Sequence, residues 1–261
     1  VLKILVSQSN SIIRNLKFNI MSKFGKWVGG GLGWAFAGPI GAIIGFAIGS
    51  VIDDTKVVTN TTGIRPQTKQ GDFTSSLLVL CAAVMRADGK VLKVELDFVK
   101  AFFVRHFGIE HTQQQMLVLR EILKNPIPLN EVCSQIKSFM DYNSRVQLVH
   151  ILFGIAAADG RVEHSELDTI STISSLLGIS TADFISIKAM FIRNNDSDFQ
   201  ILEIENNVTD EEVKKAYRKM AIKFHPDKVA HLGEDYRTDA EEKFKKVQEA
   251  YDNIKKQRGF N

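Results

Sequence analysis

The stretch Lys214-Lys215-Ala216-Tyr217-Arg218-Lys219-Met220-Ala221-Ile222-Lys223-Phe224-His225-Pro226-Asp227-Lys228 decides how the C-terminal part folds. Val213, Tyr217, Met220 and Phe224 recur at the spacing of one helix face, with Ala216 and Ala221 where a second helix can approach closely. Lys214, Lys215, Arg218, Lys219 and Lys223 occupy the remaining surface. Upstream, Thr209-Asp210-Glu211-Glu212 forms a capping box: Thr209 accepts from a backbone N–H and Glu212 reaches back. Pro226 lacks an N–H and biases His225 away from helix, so the helix stops there. A short helix is expected to open at Asp198, and a polar loop from Val229 to Thr238 to lead into a third helix over Asp239 to Lys256. Its expected core face is Phe244, Val247, Tyr251 and Ile254.

This pattern, over residues 197–261, resembles the J-domain family. The resemblance implies that His225, Pro226 and Asp227 form a signature loop that promotes ATP hydrolysis by a DnaK-type heat-shock chaperone. It further implies that Lys214, Arg218, Lys219 and Lys228 bind that partner. Charge complementarity of this kind speeds and orients encounter more than it adds affinity. Two departures stand out: Val229 takes the place of the Asn common after the signature, and the following loop is longer than usual. His225 and Asp227 are not a hydrolytic dyad, because no Ser or Cys nucleophile is placed with them. No catalytic residue and no enzyme activity of the chain's own is expected.

From Phe73 to Asn195 the periodicity is helical throughout, punctuated by Gly108, Pro126, Pro128 and Gly178. An internal repeat lies inside it. Ala87-Asp88-Gly89-Lys90-Val91 precedes Glu95-Leu96-Asp97, and Ala158-Asp159-Gly160-Arg161-Val162 precedes Glu166-Leu167-Asp168 at identical offsets. Two readings stand. The glycine ends a helix, the aspartate bonds nearby backbone, the valine plugs the core and the glutamate caps the next helix. Alternatively Asp88, Glu95, Asp159 and Glu166 converge on a divalent cation. The repeat resembles the TerB-like family, named for tellurite resistance, over residues 73–195; that implies a helical bundle with an acidic, metal-binding surface.

Residues 27–52 carry no charged side chain and are long enough to span a bilayer. Gly29 and Gly33, then Gly41, Gly45 and Gly49, repeat at a spacing of four, which puts small residues on one helix face. A single kinked span that packs in a homodimer through Gly41, Gly45 and Gly49 is the first expectation. A hairpin or interfacial segment broken at Gly38-Pro39, or a soluble glycine-rich segment, is the second. Residues 1–26 read as an N-terminal extension; with Met21 just before the glycine run, residues 1–20 are read as upstream of the true start. Residues 53–72, rich in Thr with Gly63, Pro66 and Gly71, read as a linker.

The 261 residues carry a formal charge of +3 with 24% charged side chains, which gives no indication of nucleic acid. Cys81 and Cys133 fall in apolar helical patterns and read as small buried hydrophobes, and no CxxC zinc module is present. The expected architecture is all-α: a glycine-rich membrane segment, a TerB-like bundle and a J-domain helical hairpin. This order resembles membrane-anchored J-domain proteins of bacteria, which implies a co-chaperone on the inner membrane with its C-terminal domains in the cytoplasm. Lys23 and Lys26 before the span weakly favour the opposite orientation. The alternative function is a metal- or stress-sensing helical module with a secondary chaperone link.

Overall fold

A computed structural model describes residues 25–55 and 69–260. Among the described residues, ten α-helices and one 3₁₀ helix make up the regular structure, with no strand. They are α1 Gly25–Thr55, α2 Lys69–Met85, α3 Lys93–Ile122, α4 Leu129–Phe139, α5 Tyr142–Ala156, α6 His164–Leu176, α7 Thr181–Phe191, α8 Ser197–Ile201, α9 Asp210–Lys223, the 3₁₀ helix Pro226–Leu232, and α10 Glu234–Arg258. The all-α expectation holds. Residues 1–20 lie outside the described residues, as does most of the linker, and α2 begins at Lys69, inside the expected linker.

α1 is two arms. Ala37 leaves helical geometry and Gly38 takes φ 62°, ψ −156°, so the chain folds back on itself before Pro39. The glycine faces then meet within one chain. A Cβ on Gly33 would lie 2.0 Å from the Gly41 carbonyl oxygen, and one on Gly45 would lie 2.2 Å from that of Gly29. This corrects the single kinked span: the broken-hairpin reading is the one observed, and Gly41 and Gly45 are occupied in cis rather than offered to a second copy. At about 1.5 Å per residue the arms reach about 20 and 25 Å, short of the roughly 30 Å hydrocarbon core. Among the described residues no helix is long and apolar enough to cross a membrane. The turn is satisfied from the middle bundle: Gln135 Nε2 donates to the Ala37 carbonyl at 2.7 Å, and Gln135 Oε1 accepts from the Ile40 N–H at 2.9 Å.

The middle bundle packs α2 and α5 at its centre. Phe73, Leu77, Leu80, Cys81 and Val84 of α2 are all 0% exposed, as are Leu148, Val149, Leu152 and Phe153 of α5. Both cysteines are buried free thiols, and burial pushes Cys133 up to about 12. Gly108, at φ 75°, breaks α3 where the sequence predicted its stop. Phe98, one turn before the buried Phe102 on α3, is itself 36% exposed.

The C-terminal hairpin pairs α9 with α10. Val213, Ala216, Met220 and Phe224 face Ala240, Val247, Ala250 and Ile254, all buried. Tyr217 and Tyr251 stack at 4.3 Å with an 18° interplanar angle. Two corrections follow. Val229 to Thr238 is not a polar loop: Val229, Leu232 and Tyr236 are buried at 2%, 2% and 0% exposure, and α10 starts at Glu234. Phe244 is only half-buried; the inward position beside it belongs to Lys243, 3% exposed.

Candidate functional site

The sequence predicts how α9 starts and stops, and the structure shows the bonds. The Glu212 N–H donates to Thr209 Oγ1 at 3.3 Å, and the Thr209 N–H donates to Glu212 Oε2 at 2.8 Å. At the far end the Phe224 N–H still reaches the Met220 carbonyl, 2.9 Å away, and His225 then turns to φ −59°, ψ 134°. That extended residue caps the 3₁₀ helix. Its carbonyl accepts from the Lys228 N–H at 2.9 Å, and its Nδ1 accepts from the Asp227 N–H at 3.3 Å.

Local bonding therefore fixes the loop without burying it. The His225 and Asp227 side chains are 52% and 81% exposed. The His225 ring lies edge-on to Phe244, with centroids 6.0 Å apart, so the half-buried Phe244 floors the loop. Asp227 Oδ2 is 3.5 Å from His225 Nδ1, a contact open to solvent that leaves the carboxylate available to an incoming cation.

Along α9, Lys214 pairs with Glu211 at 3.4 Å and lies over the Phe260 ring, and Arg218 Nε donates to the Lys214 carbonyl. Lys215, Arg218 and Lys228 have no ion pair among the described residues, and all three are exposed. Lys219 is 67% exposed but bonds Glu203 at 3.3 Å, and Lys223 bonds both Glu203 and Asp183. Sequence reading missed Ile222, an apolar side chain 67% exposed between these cations. Its signal was its place off the α9 core stripe.

The back of the hairpin is docked on the middle bundle. Tyr236 packs against Phe73 and stacks on His106, and shares a 2.9 Å hydrogen bond with Thr74 Oγ1. His231 Nε2 is 2.8 Å from Asp141 Oδ2, and His106 Nε2 is 3.0 Å from Asp239 Oδ2. Lys243 Nζ donates to Gln147 Oε1 at 2.8 Å, with both residues buried. Burial pushes the Lys243 ammonium down to about 7, against the pull of Asp183 and Asp239.

The repeat behaves as caps. Asp88 Oδ1 accepts from the Lys90 N–H at 2.8 Å and Asp159 Oδ1 from the Arg161 N–H at 3.1 Å, beside Gly89 and Gly160 at φ 78° and 96°. Glu95 Oε2 accepts from the Leu92 N–H, and Glu166 Oε2 from the Glu163 N–H, each at 2.9 Å. Glu95 and Glu166 are brought together across the repeat. Burial first, then the Glu166 carboxyl and the Asp88 charge, push Glu95 up to about 7. The expected four-acid ligand set does not assemble: among the described residues no group of three or more His, Cys, Asp or Glu could hold a metal ion. Half of each carboxylate is committed to a backbone N–H instead. Val91 is 38% exposed and plugs no core, whereas its counterpart Val162 is partly buried.

An antiparallel hairpin with an exposed His-Pro-Asp corner and a basic first helix is the arrangement of a J domain, and the DnaJ domain family model matches residues 198–258. The model for tellurite resistance protein TerB matches residues 74–189, and that for the co-chaperone DjlA transmembrane domain matches residues 21–67. The chain is DjlA-like in this order of three units. Co-chaperone protein DjlA of Coxiella burnetii is 25% identical over 270 aligned positions, covering 92% of this chain and 100% of the relative. That of Yersinia pseudotuberculosis is 25% identical over 279 positions, with the same coverage. Chaperone protein DnaJ of Fusobacterium nucleatum is 48% identical over 63 residues, and the chain spans only 16% of that relative's length. No solved structure matches significantly. The transmembrane-domain match and the DjlA relatives support membrane association.

Proposed function

We propose that this chain is a co-chaperone whose J domain stimulates ATP hydrolysis by a DnaK-type heat-shock chaperone and recruits that chaperone to the membrane. The observation that carries this reading is the corner at His225, Pro226 and Asp227. Its backbone is fixed by the cap of one helix and the start of the next, while both titratable side chains face solvent. The chain's role is that of an adaptor: hydrolysis takes place in the partner, and Asp227 offers a charge-assisted contact to a cation there, biasing the partner's conformation. Lys214, Lys215, Arg218 and Lys228 steer an acidic surface onto α9, and Ile222 gives the contact an apolar centre.

In this reading the α1 hairpin holds the adaptor at a membrane. Trp27, Val28, Leu32 and Trp34 are 68%, 56%, 55% and 59% exposed on its first arm, a face suited to the lipid interface where Trp side chains concentrate. The J domain then acts in the cytoplasm, where its partner is, at the inner membrane of a bacterium. The test is single-turnover ATP hydrolysis by a DnaK-type chaperone with the full chain added in detergent micelles. Several-fold acceleration supports the reading, and no acceleration at any concentration refutes it.

A further inference from the structure

Lys223, two residues before His225, is held by one acid of the TerB-like domain and one at the start of its own domain. Its Nζ lies 2.8 Å from Asp183 Oδ1, in the first turn of α7, and 2.5 Å from Glu203 Oε1. Glu203 also holds Lys219 at 3.3 Å, from a backbone position at φ 57°, the left-handed region that non-glycine residues rarely adopt. Neither acid is a mobile surface group. The Asp183 and Glu203 side chains are 2% and 6% exposed, and Asp183 Oδ2 also accepts from the Ser180 and Tyr142 hydroxyls. The carboxylate is thus fixed to the TerB-like bundle and cannot follow Lys223 outward. The result is visible in exposure: the Lys223 side chain is 25% exposed against 67% for Lys219.

We propose that Asp183 of the TerB-like domain, together with Glu203 at the start of the J domain, forms a built-in acidic competitor for the basic helix that attenuates docking of an acidic partner on the J domain. The inference rests on the co-chaperone reading and deepens it. A partner surface that recruits the end of α9 must first displace these carboxylates, and its apparent affinity falls by the fraction of chains in which they are displaced. The signature corner is not covered, so the competitor acts on binding and not on the stimulated step. The rest of the interface, from Tyr236 and Thr74 to Lys243 and Gln147, keeps Asp183 in place.

The experiment measures single-turnover ATP hydrolysis by a DnaK-type chaperone against the concentration of full chain in detergent micelles. Asp183→Asn preserves size and hydrogen-bonding capacity toward Ser180 and Tyr142 while removing the charge. The half-maximal concentration is expected to fall about 3- to 10-fold, with the plateau rate unchanged and a steeper loss of stimulation as salt rises. Glu203→Gln should act in the same direction, so the outcome does not depend on how the buried Asp183 tolerates replacement. A folded Glu203→Gln or Asp183→Asn protein with the parent's half-maximal concentration overturns the proposal. If the parent itself never accelerates hydrolysis, it is the co-chaperone reading that fails; if the parent accelerates and neither variant shifts, only the competitor fails.

Discussion

Gln135, in the middle of α4, holds the turn of the glycine hairpin through Ile40, whose N–H donates to its Oε1 at 2.9 Å. The same carboxamide donates to the Ala37 carbonyl, so one side chain satisfies both backbone groups that the Gly38 turn orphans. Gln135→Ala should therefore cost about 1–3 kcal/mol, the penalty for leaving such groups unpaired, and lower the melting temperature of the full chain. Gly45→Leu should cost more, because its Cβ has no room beside the Gly29 carbonyl. Thermal melts of both variants check this; a parent-like melt for Gly45→Leu would contradict the hairpin.

The Glu95–Glu166 pair makes the middle bundle sensitive to pH. Glu95 is raised to about 7 in the fold from an ordinary value of 4.5, and Glu166 is raised as well. The folded state then binds more protons than the unfolded one between these values, so stability declines as pH rises from about 4.5 to about 7. Glu95→Gln keeps an acceptor for the Leu92 N–H and removes the charge. The variant should melt higher than the parent at pH 8, with the difference vanishing near pH 4. A gain that is independent of pH would show that the pair does not titrate in this window. A rise in parent melting temperature on adding calcium or magnesium would restore the cation reading of the four acids.

Lys243 carries the opposite sign. Its value falls to about 7 in the fold from 10.5, so the unfolded state binds more protons and stability rises with pH between the two. Replacing it together with its partner, as Lys243→Met with Gln147→Leu, removes a buried charge without stranding the amide. Such exchanges are often neutral or stabilising by about 1–4 kcal/mol. Denaturant unfolding at pH 6 should show the gain, and at pH 10 it should shrink; a loss of stability at pH 6 would mean the lysine is well solvated.

The two phenylalanines near the signature corner separate core from floor. Phe224 is 3% exposed between α9 and α10, and Phe224→Ala should cost about 3–5 kcal/mol. Phe244 is half-buried under His225, and Phe244→Ala should cost less stability while disturbing the loop. Urea unfolding of the pair ranks them; equal losses would place Phe244 in the core after all.

What could be read in advance was local. The Thr209–Glu212 cap, the stop at His225-Pro226 and the twin turns at Gly89 and Gly160 depend on neighbours within four residues, and all three are found. What escaped depends on contacts remote in sequence. The segment Val229 to Thr238 reads as a loop because its partners, Phe73, Thr74 and His106, lie more than a hundred residues upstream. Lys243 carries no sign of burial in its neighbours, and its partner Gln147 comes from the docked α5. The glycine spacing is equally suited to packing within one chain or between two, and Gln135, far along the chain, accompanies the first. Of the site residues, Lys219 keeps its predicted face but is already bonded to Glu203, a pairing that no spacing rule supplies.

The central claim is that the exposed corner acts on a partner and contributes little to the fold. Asp227 is 81% exposed, and among the described residues its side chain makes only the 3.5 Å contact to His225, so Asp227→Asn should leave helical content and melting within experimental error of the parent. The decisive measurement is single-turnover ATP hydrolysis by a DnaK-type chaperone with the parent chain and with Asp227→Asn. The account predicts several-fold acceleration by the parent, weakening as salt rises, and none by the variant. Equal acceleration by both proteins would contradict it.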